Sequence, residues 1–181
     1  MKVTSIVFTA LFTALIAAGS YLVIPVGVVP VTLQTLFVLL AGLLGGAKIG
    51  SQAAGLYLLL GIIGLPIFSG GTGGIGHLLG PTGGYLIAWL PAAAIAGLCA
   101  DWKALPQLPR YIIGAAAATI IIYLVGVPWL KFVLGLSWSQ AFAAGALPFL
   151  PGDMIKAAAA VSIARLLSDR VEEFLYRDRT G

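Results

Sequence analysis

The sequence predicts an all-α membrane protein in which six transmembrane helices form one bundle, and a single domain over residues 1–181. The first observation is composition: 60% of the residues are hydrophobic, only 9% are charged, and the mean hydropathy is +1.07. A soluble domain carries about 25% charged residues, so polar groups here are too few to cover a wet surface. The second observation is that residues 3–47 and 49–100 contain no Asp, Glu, Lys or Arg. Because a helix needs about 20 residues to cross a bilayer, each stretch holds two spans and a connection.

The limits of the spans follow from proline and glycine, which end helices and turn the chain. Pro25 and Pro30 bracket the first connection, and the second is a charge-free, glycine-rich stretch over 66–84. The predicted helices are 3–24, 31–47, 49–65, 84–101, 110–128 and 149–168. Barrel strands would be shorter and would alternate polar with apolar residues, which these stretches do not do. Residues 169–174 are predicted to continue the last helix as a short solvated extension.

Basic residues predict the orientation in the membrane. With six spans both termini lie on one side, and eight basic residues share that side: Lys2, Lys48, Lys103, Arg110, Arg165, Arg170, Arg177 and Arg179. Only Lys131 and Lys156 fall on or near the other side. The positive-inside rule therefore predicts cytoplasmic termini. Insertion into the plasma membrane without signal cleavage would suit a prokaryote. We expect no cleaved signal peptide, because the apolar stretch after Lys2 is too long for one.

The most informative charged residues are Asp153 and Lys156, at the predicted outer start of the last helix. Residues three apart share a face of a helix, and charges at this depth usually face a cavity or a partner. One interpretation is a self-neutralising pair in which Asp153 also caps the helix. The other is a polar anchor for a solute from outside, where Asp153 accepts N–H groups and Lys156 pairs with a carbonyl or carboxylate oxygen.

The run from Ser69 to His77 contains the pattern G-x-G-x-x-G, but no βαβ unit surrounds it, so it does not indicate dinucleotide binding. Its glycines, Gly73 and Gly74 among them, would let a small ligand approach the backbone closely; a flexible connection without a role is the alternative. His77 is the only histidine. It is a candidate for hydrogen bonding in the wall of a binding site, or it lies at the membrane interface without a role.

Further candidate contacts open two other helices at the same outer end. Gly84 and Tyr85 begin the helix after the glycine-rich connection, and Tyr85 could present its hydroxyl and ring to a cavity or anchor the interface. Thr32 and Gln34 open the second helix. A side-chain amide that faces lipid is energetically costly, so Gln34 is predicted to face the bundle, toward either a ligand or another helix.

Ala10 and Ala14 begin a stripe of small residues four apart that continues to Ala18. Such a stripe lets helices approach closely, so it is a candidate docking face. Alanine is so frequent in this chain that chance is the competing explanation.

Several classes of function are excluded by what the sequence lacks. A net charge of +4, without a basic run interleaved with aromatics before the C-terminal tail, does not indicate nucleic-acid binding. The single Cys99 excludes an internal disulfide, and no metal site, P-loop or nucleophile elbow is present. We therefore expect no catalysis, no metal and no cofactor. A chain that binds a solute outside the cell but has no ATPase motif must work with an ATPase partner or conduct the solute passively.

The chain resembles the BioY family, the biotin-specific S components of energy-coupling factor transporters, over nearly its whole length. The stretches that carry the resemblance are the Pro25–Pro30 turn with Val31-Thr32-Leu33-Gln34, Gly64-Leu65-Pro66, Gly80-Pro81-Thr82-Gly83-Gly84-Tyr85, and Pro151-Gly152-Asp153 with Lys156. Each is weak alone; their order and spacing across six hydrophobic spans make the resemblance specific.

The resemblance implies high-affinity biotin binding in an outward-facing cavity formed by helices four to six and covered by the first and third outer loops. It implies a transmembrane coupling protein and two cytoplasmic ATPases as partners, with toppling of the S component as the transport step. Asp153 and Lys156 match the family's ligand contacts, and Ala10 and Ala14 match its Ala-x-x-x-Ala contact with the coupling protein. His77 lies at a loop position that carries a different polar residue in some relatives.

Three other functions are weighed against this one. An S component for another vitamin, such as riboflavin or thiamine, belongs to the same class. A passive small-solute channel would suit the small-residue stripes, but charge-poor helices line an aqueous path badly. An intramembrane enzyme lacks a nucleophile and base. Pairing with a second copy of the chain is left open.

Overall fold

The computed structural model describes residues 3–25 and 29–177, and within them the chain forms seven helices and one two-stranded ribbon. The helices are α1 (Val3–Ser20), α2 (Gln34–Ile62), α3 (Ile75–Leu78), α4 (Gly83–Ala100), α5 (Gln107–Leu134), α6 (Trp138–Gly145) and α7 (Leu150–Arg177). The strands are β1 (Val23–Ile24) and β2 (Val31–Thr32). The class is all-α, as predicted.

The long helix α2 is broken at Gly46, whose φ of 73° and ψ of 177° are not helical. A Cβ atom at Gly50 would lie 2.8 Å from the Cα atom of Gly42, and the Gln34 side chain bonds the Tyr57 hydroxyl. In one straight helix, which rises about 1.5 Å per residue, neither of these two pairs of residues could be in contact. The chain therefore reverses at Gly46, next to the predicted boundary between 31–47 and 49–65.

The first predicted connection is a β-ribbon rather than a simple turn between helices. β1 pairs antiparallel with β2, with Val23 opposite Thr32 and Ile24 opposite Val31. The predictions that the first helix runs to 24 and the second starts at 31 were therefore wrong. β-branched residues favour this extended pairing, and they were counted as part of the helices because they are equally hydrophobic. Residues 26–28 of the predicted Pro25–Pro30 turn lie outside the described residues.

The fifth helix continues beyond its predicted end at 128. Pro128 lies inside α5, which reaches Leu134 and ends on Gly135 with a φ of 65°. Proline is tolerated inside membrane helices because neighbouring groups satisfy the freed backbone. The short helix α6 was not predicted, although Ser137 and Gln140 form a capping box at its start. At the other end of the chain, α7 continues through 169–174 as predicted.

The glycine-rich connection over residues 66–84 is a compact structure that includes α3. A bridge joins Phe68 to Thr72, and three glycines adopt positive φ: Gly70, Gly71 and Gly74. The Phe68 ring is fully buried and fills the space beside Gly61, where a Cβ atom would lie 2.1 Å from it. The connection is therefore fixed on the bundle by an aromatic anchor.

Four described helices are long and apolar enough to cross a membrane, namely α1, α2, α4 and α5. A fifth span results if α6 and α7, which are bent by 49° relative to each other, are taken together. That count treats α2 as a single span, although α2 reverses direction at Gly46.

Charged groups gather at the end of the bundle where α2 reverses. Asp101, Lys103, Arg110 and Glu172 line one polar pocket with Gly46. Lys131, by contrast, lies in the last turn of α5, at the opposite end. Lys2, Arg179 and the side chain of Arg177, which contributed to the predicted orientation, lie outside the described residues.

Close backbone approach between α2 and α4 yields the first prediction. A Cβ atom at Gly97 would lie 2.1 Å from the Ala47 backbone nitrogen, whereas one at Gly55 would meet nothing nearer than a Leu90 methyl at 3.8 Å. We expect Gly97→Ala to lower the free energy of unfolding by about 1–3 kcal/mol, because rigid backbone must move. Thermal unfolding in detergent measures this. Gly55→Ala, the control on α2, should be neutral or stabilising.

Candidate functional site

A cavity opens at the end of the bundle that holds the β-ribbon and the start of α7. It lies between the start of α2, the first half of α4, the second half of α5 and the first turns of α7. It encloses about 590 Å³ of unfilled space, including its open mouth. Its polar lining residues are Thr32, Gln34, Thr35, Ser69, His77, Thr82, Tyr85, Tyr123, Asp153 and Lys156, and its apolar walls include Leu86, Trp89, Ile122 and Phe149. An apolar cup with a few convergent polar groups is typical of a small-molecule site.

Asp153 and Lys156 form a close ion pair in the wall of this cavity. The Lys156 Nζ atom lies 2.6 Å from Asp153 Oδ1, and the two side chains are only 10% and 12% exposed. The other carboxylate oxygen, Oδ2, accepts a hydrogen bond from the Tyr123 hydroxyl of α5. The two charges neutralise each other and also line the cavity, so both interpretations of the pair fit in that respect. The prediction that Asp153 caps the helix was wrong, because α7 begins at Leu150 and the Asp153 backbone N–H already donates to the Phe149 carbonyl.

The Lys156 ammonium also bonds the segment between β2 and α2. It donates to the Thr32 carbonyl oxygen at 3.1 Å and to the Thr35 hydroxyl at 2.9 Å. An ammonium has three N–H donors, and all three have acceptors here. Lys156 therefore joins α7 to the start of α2, and a ligand oxygen that bonds it must replace one of these acceptors.

Gln34 lines the cavity, but its amide is occupied by neighbouring side chains. Its oxygen accepts from the Thr32 hydroxyl at 3.0 Å, and its nitrogen donates to the Tyr57 hydroxyl. Tyr57 donates in turn to the Ile67 carbonyl at 2.9 Å. The prediction that Gln34 faces the bundle is confirmed, and its present bonds join α2 to the glycine-rich connection.

Tyr85 faces the cavity from the first turn of α4. Its hydroxyl donates to the Gly145 carbonyl at 2.8 Å, and its ring lies against Gly126 of α5. The side chain therefore holds the end of α6 against α4 and offers the ring edge to the cavity.

His77 lies at the mouth of the cavity, half-buried on α3. Its ring stacks on Phe68 with 5.1 Å between centroids, and its nitrogens lie 2.9 Å from the Thr72 hydroxyl and 3.3 Å from the Thr82 hydroxyl. The Thr72 hydroxyl donates a hydrogen bond to the Ser69 carbonyl oxygen, so the Thr72 oxygen accepts one from the His77 Nδ1–H group. The His77 Nε2 atom then carries no proton and accepts a hydrogen bond from the Thr82 hydroxyl. This arrangement favours the neutral ring, and burial lowers the His77 pKa below its usual value.

The three candidate glycines do not line the cavity. A Cβ atom at Gly84 would lie 2.2 Å from the Trp129 side chain, and one at Gly73 would lie 2.3 Å from the Leu65 carbonyl oxygen. Gly74 has a φ of 91°, which favours glycine. Gly73 and Gly84 thus approach other parts of the chain, and Gly74 allows the turn of the loop.

The sequence interpretation missed two cavity residues on helix interiors, Tyr123 and Trp89. Tyr123 is the hydrogen-bond donor to Asp153, and Trp89 forms part of the wall from α4. Neither belongs to a motif, and aromatic residues in membrane helices are common enough that only the packing of α5 against α7 singles out Tyr123. In the described residues no group of three or more His, Cys, Asp or Glu side chains could hold a metal ion.

Ala10 and Ala14 lie far along α1 from the cavity, on its outer face. Both side chains are exposed, as are Val7 and Leu11 beside them. The opposite face of α1 is buried against α2, where the Thr13 hydroxyl donates to the Ala53 carbonyl at 3.1 Å. The alanine stripe therefore lies on an exposed face of α1.

The environment of His77 yields a second prediction. With a lowered pKa in the folded state, the unfolded state binds more protons as the pH falls below about 6.5. Stability should therefore be constant above that pH and decline below it, toward the lowered pKa. NMR titration of the single histidine should give a pKa below the usual value, and His77→Gln should remove this part of the pH dependence. A ring that titrates at or above about 6.5 would contradict the described bonds.

Comparisons with known proteins agree on one family. The profile of the BioY family matches residues 1–173. The chain is 43% identical over 167 residues to a probable biotin transporter of Pyrococcus horikoshii, covering 92% of this chain and 98% of the relative. It is 41% identical over 154 residues to a biotin transporter of Thermotoga maritima, covering 85% and 89%. The crystal structure of an S-component for biotin from an ECF-type ABC transporter superposes with a TM-score of 0.80, at 34% identity and 92% coverage of each chain.

Proposed function

This chain belongs to the BioY family, and on that premise we propose that it is the biotin-binding S component of an energy-coupling factor transporter. It is a multi-pass membrane transporter subunit, not an enzyme. We place it in the plasma membrane of a prokaryote, where it captures biotin from outside and delivers it inward with an ATP-driven partner module.

The observation that carries the proposal is the buried Asp153–Lys156 pair in the wall of the outer cavity. Biotin has a ureido group with two N–H donors and one carbonyl, an apolar thioether ring with a valeryl chain, and a carboxylate. Asp153 accepts ureido N–H groups, and Lys156 bonds either the ureido carbonyl or the carboxylate. The apolar parts of the vitamin fit the walls that include Leu86, Ile122 and Phe149.

High affinity requires a largely preformed and buried site. A nanomolar dissociation constant corresponds to about −12 kcal/mol. Spread over the roughly 16 heavy atoms of biotin, this is about −0.8 kcal/mol per atom, which lies within the range known for small ligands. The hydrogen-bonded groups around Asp153 and Lys156 support such a site, because they are held in place before the ligand arrives.

We propose that residues 1–181 form one domain with six spans and cytoplasmic termini. The reversal of α2 at Gly46 supports two spans in α2, and the bent pair of α6 and α7 supports one more. The polar pocket around Asp101 and Arg110 supports a cytoplasmic position for the reversal. The glycine-rich connection and the cavity then face outward together.

For partners, we propose a transmembrane coupling protein that docks on α1 and two cytoplasmic ATPases that drive transport. The exposed stripe of Ala10 and Ala14 supports this, because small side chains on a free helix face let another helix approach closely. The chain needs no cofactor of its own, since ATP is used by the partner subunits.

Substitution of the ion pair tests the binding site. Asp153→Asn or Lys156→Ala should weaken biotin binding to the detergent-solubilised protein by about tenfold or more, because each removes a charged hydrogen bond to the vitamin. Isothermal titration calorimetry measures the dissociation constant. The matched control is Lys131→Ala, since Lys131 lies at the same end of the bundle but over the Trp138 ring, outside the cavity.

Two results would contradict the proposal. Unchanged biotin affinity in both Asp153→Asn and Lys156→Ala would remove the pair from the site. Displacement by low concentrations of riboflavin or thiamine, with biotin inert, would make the chain an S component for another vitamin.

A bulky residue in the alanine stripe tests the partner surface. Ala14→Trp should abolish co-purification of the chain with its coupling protein and ATPases, because the indole prevents close helix approach. Biotin binding by the solitary chain should stay within about twofold of the unmodified value, a shift smaller than one ordinary hydrogen bond. Ile120→Trp, at an exposed site on α5, is the control; equal complex recovery from both variants would place the docking face elsewhere.

A further inference from the structure

Trp89 has a buried hydrogen-bond donor that the interactions described so far do not use. The side chain is only 4% exposed, it lines the outer cavity, and its indole Nε1–H has no hydrogen-bond partner. Buried N–H groups in proteins are nearly always bonded, and each exception requires an explanation. In a membrane interior no bulk water is present to satisfy the group.

The other three tryptophans do not share this feature. The indole of Trp129 donates to the Gly80 carbonyl at 2.9 Å. Trp102 and Trp138 are 54% and 62% exposed, so neither is buried within the bundle. Of the four, which all lie in the described part of the chain, only Trp89 combines burial, an unpaired N–H and a place in the cavity wall.

The immediate neighbours of Trp89 do not accept a hydrogen bond from its indole N–H. It lies in α4 below Tyr85 and Leu86, which line the cavity one turn earlier on the same face. Its ring packs on the Tyr57 ring with 5.6 Å between centroids, but the Tyr57 hydroxyl is already bonded to Gln34 and Ile67. Tyr85 bonds Gly145 instead. Trp89 also borders the cavity, so an acceptor for its N–H can come from a molecule bound there.

A ligand with oxygen acceptors would find few other free donors in this cavity. All three N–H groups of Lys156 have acceptors, and the Tyr123 hydroxyl donates to Asp153. A ligand oxygen that meets those groups has to displace an existing bond. A bond to the Trp89 N–H displaces nothing and satisfies an unpaired group, which makes it the more favourable contact per bond formed.

We propose that Trp89 is an additional ligand-binding and specificity residue, whose indole N–H donates a hydrogen bond to an oxygen of the bound vitamin. This inference rests on the proposed function, because biotin supplies the acceptor through its ureido carbonyl or its carboxylate. A vitamin that places only carbon or an N–H group against Trp89 leaves the indole unpaired and binds more weakly.

The test is Trp89→Phe, which removes the N–H and keeps an aromatic ring. Calorimetric titration with biotin should give a dissociation constant about tenfold higher than that of the unmodified protein. Trp138→Phe, the control at an exposed tryptophan outside the cavity, should leave it unchanged. With biotin methyl ester, a smaller effect of Trp89→Phe assigns the bond to the carboxylate, and an undiminished effect assigns it to the ureido carbonyl.

A second measurement separates the hydrogen bond from lost packing. In unmodified protein labelled with 15N at the indoles, saturation with biotin should move the Trp89 N–H resonance downfield, and Trp89→Phe identifies that signal. Equal biotin affinity in Trp89→Phe, or an unmoved Trp89 resonance in biotin-saturated protein, would overturn the inference while leaving the proposed function intact. Unmodified protein that binds no biotin at all would overturn the proposed function, and this inference with it.

Discussion

The ammonium group of Lys156 imposes the constraint around which the outer half of the bundle is organised. A lysine placed well inside a membrane helix costs about 2.5–3.5 kcal/mol on insertion scales, and the residue is only 8% exposed. The chain offsets this cost with three acceptors from two segments: the Asp153 carboxylate, the Thr32 carbonyl and the Thr35 hydroxyl. Tyr123 completes the group by donating to Asp153. One buried charge thus draws α5, α7 and the start of α2 to a common point.

This arrangement connects the site to the segment that covers it. Of the residues that bond Lys156, Thr32 ends strand β2 and Thr35 lies in the first turn of α2. Thr32 also bonds Gln34, from which a chain of hydrogen bonds runs through Tyr57 to the Ile67 carbonyl. A ligand oxygen that replaces an acceptor of Lys156 therefore disturbs the outer end of α2 and, through it, the glycine-rich connection. The groups that line the cavity therefore also fix the segments around its mouth.

Composition and the positions of charges sufficed to predict the all-α membrane class and most of the helices, because the absence of charge over 3–47 and 49–100 leaves few alternatives in a lipid solvent. Periodicity could not distinguish the β-ribbon from helix ends, since Val23, Ile24 and Val31 are as apolar as the helices beside them. Proline misled at residue 128, where packing in α5 tolerates it. α6 could have been found from Ser137 and Gln140, whose capping box is a local signal.

At the site, the sequence identified side chains that are costly to bury, and it could not identify those whose role depends on packing. Asp153, Lys156, His77, Tyr85, Thr32 and Gln34 were singled out because each is polar in an apolar setting, and all six line the cavity. Gly73 and Gly84 instead permit close contacts within the chain, and Gly74 adopts a positive φ in the loop. Tyr123 and Trp89 belong to the wall only because α4, α5 and α7 come together there.

A crystal structure of the protein with biotin bound tests the central claim most directly. The account predicts biotin in the outer cavity, with a ureido N–H on the Asp153 carboxylate and a biotin oxygen within hydrogen-bond distance of Lys156 Nζ. Biotin bound elsewhere, for example in the apolar groove between α5 and α7 lined by Ala115, Thr119 and Ala158, with the Asp153–Lys156 pair unchanged, would contradict it.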